Sequence, residues 1–367
     1  MVKKKIIILL HHGLGDVIMS QKLIRNAGDF FKKSLIFLVV KSNVEKSFLD
    51  TLKLDNNFQI VVLNYKGTFI SKVSLLLKFF SIGLKKTDVL LAAHSTNKMI
   101  GNIFSKMLRS KISIGPSGGK CYSQTTRKSG LHKTDYYLDF LLTYIEKYDN
   151  KFNLEIKDSK IVNFEPSDIE NFPNDYKFIL NSNYIIISPG TSPFDTHKRW
   201  PSEKYIALIK DIIKKFKIKI VLLGSKADDE VIDSIYSRFK NIEYVIKIND
   251  LPIKHSMFLI SKSKVILSAC TSSLHMASTV GANMVSLYGP TNYSITGPDS
   301  KKNRIVRIGY SCSPCFRYRF SSGCGTPKCM TDIKVDQVMA ALTESMMNKE
   351  IPDYPRIETT NYKRFQI

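Results

Sequence analysis

The sequence predicts an α/β fold with two Rossmann-like domains, each built on a parallel sheet. Apolar stretches of strand length alternate with helical patterns along most of the 367 residues. Periodicity is lost in residues 150–183, which gain Asn, Asp, Pro and Ser and are expected to hold the linker. We therefore expect a first domain at residues 1–170, a second at 171–349 and a C-terminal tail at 350–367.

The first domain opens with a strand, a glycine-containing turn and a helix. Lys5–Leu10 is the strand, and His12, Gly13, Gly15 and Asp16 follow it. The third glycine of the dinucleotide fingerprint is missing, so the turn alone does not indicate a dinucleotide site. Further strands are predicted at Leu35–Val40, Gln59–Leu63, Asp88–Ala92 and Ile112–Ile114. The loops after parallel strands should line one edge of the sheet.

The second domain has predicted strands at Tyr184–Ser188, Ile218–Leu223, Val265–Ala269 and Met284–Tyr288. Thr271, Ser272 and Ser273 follow the third of these at the start of a helix. Hydroxyls and backbone N–H groups at a helix start favour an anion. His275 lies four residues after Thr271, on the same helix face. A nucleotide diphosphate would fit there.

The charge is strongly basic, with 55 Lys and Arg against 32 Asp and Glu and a net charge of +23. It is spread evenly, +12 over residues 1–170 and +11 over the rest. Nucleic acid, an anionic membrane surface or phosphorylated substrates could each be the partner, and a lysine-rich proteome explains the charge without one. The first apolar run stops after five residues, so no export signal is expected, and the six cysteines suit a reducing, cytoplasmic compartment.

Four separated motifs, in order, resemble those of glycosyltransferase family 9, the lipopolysaccharide heptosyltransferase family. The matching segments are Gly13 to Asp16, Pro189-Gly190 with Lys198-Arg199-Trp200-Pro201, Gly224 to Asp228, and Thr271 to His275 with Tyr288-Gly289-Pro290-Thr291. Cys270 and Ser272 stand where the family usually has Asp and Gly, which leaves the donor's identity open. The resemblance implies the GT-B fold, in which two Rossmann-like domains face each other across a cleft.

The resemblance implies an inverting transfer of heptose, or a related sugar, from a nucleotide diphosphate sugar such as ADP-heptose. The acceptor would be lipopolysaccharide core or a similar bacterial surface glycan, as an anionic glycolipid or oligosaccharide. Asp16 is then the general base, although an Asp before a helix is also a common N-cap. We expect acceptor contacts at His12, Gly13, Gly15 and Lys98.

The donor contacts implied are Thr191, Ser192, Lys198, Asp228, Thr271, Ser272, Ser273 and His275. Lys198 would neutralise the diphosphate as the leaving group gains charge. Alternatively, Lys198 is a solvated loop charge, Trp200 is a core anchor, and Asp228 or Asp229 caps the following helix. No Asp-x-Asp metal motif follows a strand, so catalysis is expected to need no cofactor and to survive chelators.

Four cysteines, Cys312, Cys315, Cys324 and Cys329, fall in the Cys-rich segment 312–330. Such a set could be the tetrathiolate ligands of a structural zinc ion. The alternative is a set of reduced thiols that pack a loop.

Two other functions fit parts of the sequence. A GT-B sugar-nucleotide 2-epimerase would need additional carboxylates in the cleft, and none is found. A basic nucleic-acid-binding protein is disfavoured, because the charge covers both domains and no nucleic-acid module occurs. Nucleic acid is therefore not an expected partner.

Residues Thr68–Lys86 combine ten apolar side chains with interspersed and flanking lysines. The segment is either a helix buried against the sheet or an interfacial helix on anionic lipid. Because a lipid-anchored acceptor must be met at the bilayer, we favour reversible, peripheral association with the inner membrane.

We predict that the purified protein co-sediments with anionic vesicles at low salt and is released at high salt. Each basic residue near anionic lipid contributes about 1 kcal/mol, and salt screens that attraction. Neutral vesicles of the same size are the control and should bind poorly. No binding to anionic vesicles at low salt would contradict the prediction.

Overall fold

The structure is a computed structural model that describes residues 4–10, 12–64, 87–93, 108, 110–117, 119, 121–126, 130–149, 154–159, 161–315, 324 and 327–347. The chain divides into two compact units, with the boundary between Lys160 and Ile161. Each unit is an α/β structure with its own sheet.

Unit 1 contains a six-stranded sheet in the order β3-β2-β1-β4-β5-β6. All the strand pairs are parallel. The strands are β1 (Lys5–Leu10), β2 (Leu35–Val40), β3 (Phe58–Val62), β4 (Val89–Leu91), β5 (Ile112–Gly115) and β6 (Gln124–Thr125). The helices described in unit 1 are α1 (Leu14–Met19), α2 (Gln21–Phe30), α3 (Asn43–Thr51) and α4 (Lys133–Tyr148).

Unit 2 contains a second six-stranded sheet, in the order β12-β11-β10-β7-β8-β9. Its strand pairs are also parallel. The strands are β7 (Tyr184–Ser188), β8 (Lys219–Leu223), β9 (Val245–Ile248), β10 (Ile266–Ala269), β11 (Met284–Tyr288) and β12 (Asn303–Arg307). Each sheet thus has the strand order of the dinucleotide-binding fold, with the order reversing beside β1 in one unit and beside β7 in the other.

The α-helices described in unit 2 are α5 (Pro166–Glu170), α6 (Lys177–Leu180), α7 (Ser202–Phe216), α8 (Asp229–Tyr236), α9 (Ile253–Lys262), α10 (Ser272–Thr279), α11 (Tyr293–Thr296), α12 (Lys328–Thr331) and α13 (Val335–Met346). Short 3₁₀ helices cover Asn174–Tyr176, Pro193–Lys198 and Lys226–Asp228. No helix in the described ranges is both long enough and apolar enough to cross a bilayer.

The central strands are buried on both faces, which explains their continuous apolar sequences. Ile185, Ile186 and Ile187 of β7 have no exposed surface. Trp200 is 1% exposed in the core of unit 2, and its indole Nε1 donates to the Ile333 carbonyl at 3.1 Å. The expectation that Trp200 is a core anchor agrees with this burial.

The division between the units falls earlier than the predicted boundary at residue 170. Residues 161–170 belong to unit 2. The Val162 amide donates to the Thr279 carbonyl at 2.8 Å, and the rings of Phe164 and Phe258 lie 5.3 Å apart. Main-chain and ring contacts therefore attach this segment to unit 2 before its first strand begins.

Three strands were missed in the sequence, namely β6, β9 and β12, and all three lie at sheet edges. β6 has only two residues, while β9 and β12 include Lys247, Arg304 and Arg307. An edge strand tolerates charge because it has one neighbour, so its apolar signal is weak.

The loops after β7 and β8 pack tightly on each other. A Cβ atom on Gly190 would lie 2.1 Å from Asp228 Oδ1. The other carboxylate oxygen, Oδ2, accepts from the Ser225 amide at 2.9 Å and from the Ser225 hydroxyl at 2.8 Å. Asp228 thus closes a capping box at the 3₁₀ turn that precedes α8.

We predict that Gly190→Ala lowers the free energy of unfolding by about 1 kcal/mol, the usual cost of losing such a cap. The methyl group would displace the Asp228 carboxylate from Ser225. Denaturant unfolding followed by circular dichroism measures the change. Gly309→Ala is the control, because no other atom in the described part of the chain lies within 4 Å of the added Cβ there. Equal stability of the two variants would contradict the prediction.

Candidate active site

Asp16 lies in the first turn of α1, just after the carboxyl end of β1. The N-cap of this helix is Gly13, and the Asp16 amide itself donates to the Gly13 carbonyl at 3.0 Å. The side chain is directed elsewhere, since Asp16 Oδ1 accepts from the Tyr137 hydroxyl at 2.5 Å. Gly13, and not Asp16, therefore occupies the N-cap position of α1, and a catalytic role for Asp16 stays a prediction.

Two cationic or titratable side chains share the surroundings of Asp16. Burial lowers the pKa of His12, and the nearby Asp16 opposes that shift. The imidazole is therefore mainly neutral at pH 7. Burial also lowers the pKa of Lys133, again opposed by Asp16. The carboxylate thus sits among a phenol, an imidazole and an amine at one end of β1.

The predicted acceptor residues fall partly in this region. His12 is half-buried, whereas Gly13 is exposed. Gly15 belongs to α1, one residue before Asp16. Lys98 and the segment Thr68–Lys86 lie outside the described residues. Contacts between these residues and an acceptor stay a prediction.

In unit 2, hydroxyl groups connect β7, β10 and the start of α10. The Ser268 hydroxyl donates to the Ser188 carbonyl at 2.9 Å. The Ser188 and Ser273 hydroxyls are 2.9 Å apart, and those of Ser268 and Thr271 are 3.1 Å apart. Thr271 is the N-cap, and its side chain makes no capping bond to the helix. The buried serines therefore fix the polar groups at the start of this helix.

Ser272 and His275 belong to the same eight-residue helix. Ser272 is half-buried, and His275 is only 6% exposed. Cys270, which precedes the N-cap, has its Sγ 3.7 Å from the Thr296 hydroxyl. A thiol at this position is a weaker hydrogen-bond acceptor than a carboxylate would be.

The loop after β7 holds Thr191, Ser192 and Lys198. Arg199 donates from Nε to the Thr191 hydroxyl at 3.0 Å and from a terminal nitrogen to its carbonyl at 3.3 Å. Lys198 Nζ pairs with Asp195 at 3.0 Å and is 14% exposed on its side chain. Ser192 is exposed. Lys198 is thus held by a carboxylate within the loop and is not a solvated charge.

Asp228 reaches the same edge of the sheet, but Ser225 and Gly190 surround its carboxylate. Asp229 accepts from the Asn249 amide and pairs with Lys247 at 3.5 Å. Both carboxylates therefore have structural partners. A contact between Asp228 and the donor stays a prediction.

The turn after β11 packs against the Cys-rich segment. The Ser313 hydroxyl donates to the Gly289 carbonyl. A Cβ on Gly289 would lie 2.7 Å from Met330 Sδ and 2.8 Å from Cys329 Sγ. Within the described part of the chain, the buried hydroxyl of Thr291 has no hydrogen-bond partner. The turn is therefore fixed by close packing on one side.

None of the four C-terminal cysteines belongs to a disulfide; Cys312 and Cys324 are exposed and Cys329 is buried. Burial, followed by the influence of the other three thiols, raises the pKa of Cys329 to about 11. Among the residues that the structure describes, no group of three or more His, Cys, Asp or Glu side chains could hold a metal ion. The zinc site stays a prediction.

Tyr137 and Lys133 are the residues that sequence reasoning missed around Asp16. Neither residue is given a role by the sequence motifs. The two lie four residues apart on α4, hence on one helix face. That spacing was visible in the sequence. The partner of the Tyr137 hydroxyl, Asp16, lies 121 residues earlier in the chain.

Comparisons with known proteins extend these observations. The profile of glycosyltransferase family 9 (heptosyltransferase) matches residues 95–324, more than half of the chain. Lipopolysaccharide heptosyltransferase 2 of Salmonella typhimurium is 29% identical over 136 residues, which are 36% of this chain and 38% of that protein. The matched region thus spans less than half of that relative's length.

Two solved structures are similar over nearly their whole length. The E. coli ADP-heptose lps heptosyltransferase II has a TM-score of 0.72 and 17% identity, with 94% of this chain and 99% of that chain covered. A family 9 glycosyltransferase from Veillonella parvula has a TM-score of 0.71 and 18% identity, with 94% and 97% covered. These structures confirm the predicted GT-B fold class. The chain belongs to glycosyltransferase family 9, the heptosyltransferase family.

Proposed function

We propose that this protein is an inverting glycosyltransferase that moves heptose, or a related sugar, from a nucleotide diphosphate donor to lipopolysaccharide core or a similar bacterial glycan. ADP-heptose is the first donor to test. One similar protein is named lipopolysaccharide heptosyltransferase 2, and another is named ADP-heptose lps heptosyltransferase II. The acceptor would be an anionic glycolipid or oligosaccharide, met at the inner-membrane surface.

The observation that carries the proposal is the Asp16 carboxylate at the end of β1, held by Tyr137 at 2.5 Å. The family profile begins at residue 95, so it does not include Asp16. The role of Asp16 is supported by the N-terminal motif and by this geometry. A carboxylate at the end of the central strand of its sheet is a suitable group for general base chemistry.

The proposed reaction is a single displacement. The acceptor hydroxyl gives its proton to Asp16 as its oxygen forms a bond to the anomeric carbon. The bond between that carbon and the diphosphate oxygen breaks on the opposite face, and the anomeric configuration inverts. A carboxylate near the reacting centre also stabilises the positive charge that develops on the sugar.

The donor would bind at the carboxyl edge of the unit 2 sheet. The strand order reverses between β7 and β10, which is where ligands of such sheets bind. Backbone N–H groups and hydroxyls at the start of α10 are suited to phosphate oxygens. The Lys198 ammonium would stabilise charge on the leaving diphosphate, with Asp195 keeping it in place.

The function is tested by incubating the protein with a panel of sugar nucleotides, with and without a heptose-deficient lipopolysaccharide acceptor. The expected result is release of the nucleoside diphosphate together with an increase in the mass of the acceptor. Both should occur only when the acceptor is present. Release of the nucleoside diphosphate without any acceptor would instead indicate an epimerase-type reaction. No turnover with any donor and acceptor pair would contradict the proposal.

We predict that Asp16→Asn lowers kcat by roughly 100-fold or more while the donor still binds, since an amide cannot accept the proton. The Asn side chain is nearly isosteric and its oxygen can still accept from Tyr137. Asp50→Asn is the matched control, because it makes the same change in an exposed ion pair with Lys46 on α3. Initial-rate kinetics and calorimetry measure the two effects. Equal rates for wild type and Asp16→Asn would exclude the base.

We also predict that Lys198→Ala weakens binding of the nucleoside diphosphate at least tenfold, while binding of the bare nucleoside changes little. The ammonium is proposed to meet phosphate, and a charge-assisted bond contributes about 1.5–3 kcal/mol. Lys214→Ala removes the same charge from the exposed side of α7 and should leave both affinities unchanged. Equal losses for the two ligands would refute this position of Lys198.

A further inference from the structure

We propose that Tyr137 and Lys133, one turn apart on α4, are positioning residues that hold Asp16 as the base. The inference rests on the proposed function and adds two residues to it. Neither side chain belongs to the motifs that the sequence shares with family 9.

Tyr137 fixes the orientation of the carboxylate. Its side chain has no exposed surface, and its hydroxyl donates to Asp16 Oδ1 at 2.5 Å. A buried hydroxyl costs free energy unless it has a partner, so the phenol and the carboxylate restrain each other. The ring is held in turn by Tyr136, whose centroid is 5.6 Å away. Rotation of the Asp16 side chain would break this bond.

Lys133 supplies the positive charge. Its ammonium lies 5.3 Å from the ring centroid of Tyr136 and 5.5 Å from that of Tyr137, both within cation–π range. Asp16 and Lys133 interact electrostatically, and each favours the charged form of the other. A general base must be ionised before it can take a proton, so this cation supports the reactive state.

Helix α4 is itself fixed on the neighbouring helices. Lys22 of α2 pairs with Asp135 at 3.0 Å, and the Tyr144 ring lies 5.4 Å from that of Phe31. Tyr144 lies on the same helix, seven residues after Tyr137, and its ring packs on Phe31. It offers a matched control for the loss of a phenol from the same helix.

The first test is Tyr137→Phe, compared with Tyr144→Phe. We expect kcat to fall roughly tenfold for Tyr137→Phe, the effect of losing about 1.4 kcal/mol, with the donor KM unchanged. Added to Asp16→Asn, the same substitution should lower kcat by less than twofold, because there is no base left to position. An unchanged kcat, or a full tenfold loss in both backgrounds, would overturn the role of Tyr137.

The second test removes the charge of Lys133. Lys133→Gln should lower kcat and move the acidic limb of the kcat/KM profile to higher pH, because the carboxylate then ionises less readily. Lys133→Arg keeps the charge and should retain the wild-type limb. His12 also faces Asp16, from the end of β1, and is unchanged in both variants. Identical pH profiles of kcat/KM for the Lys133→Gln and Lys133→Arg variants would overturn the role of Lys133.

A third measurement does not depend on turnover. Denaturant unfolding of wild type, Asp16→Asn, Tyr137→Phe and the double variant gives the coupling between the two side chains. We expect clear non-additivity, and additive losses would show that the bond is absent. If no pair of donor and acceptor is turned over, the proposed function fails. The double-mutant cycle of unfolding free energies still decides whether Tyr137 holds Asp16.

Discussion

The hydrogen bond from Ser268 to the Ser188 carbonyl joins the ends of β7 and β10, and the geometry of the proposed donor site depends on it. Parallel pairing brings two strand ends together where the strand order reverses, which opens a crevice beside them. The fully buried Ser268 also approaches the Thr271 hydroxyl, and Ser188 approaches Ser273. Buried polar groups need partners, so this network fixes where the helix starts. Groups that would bind phosphate are thus placed by the interior of the sheet.

Unit 1 repeats the same strand order with different chemistry. Its central strand, β1, ends at a turn in which Gly13 occupies the N-cap position of α1, and Asp16 lies in the first turn of that helix. The carboxylate of Asp16 is oriented by Tyr137, from a helix that follows the last strand of the sheet. One fold therefore presents hydroxyls and N–H groups in one unit and a restrained carboxylate in the other.

The buried strands could be predicted from the sequence, because both of their faces are covered and their residues are uniformly apolar. Tyr184–Ser188 and Met284–Tyr288 match the prediction at both ends. Edge strands such as Asn303–Arg307 were missed, since charge is tolerated there. The Asp16 motif and the hydroxyls after β10 could also be predicted, because each is a short segment that directly follows a predicted strand. The bond to Tyr137 was not, because periodicity carries no information on contacts 121 residues apart.

The packing of Gly289 has a consequence for how this protein can evolve. Its Cα lies so close to the Cys-rich segment that an added methyl group would meet Cys329 and Met330 at under 3 Å. The turn after β11 and the segment near residue 329 therefore cannot vary independently. A larger residue at 289 could be accommodated only with smaller ones at 329 or 330, so these positions should change together among related sequences.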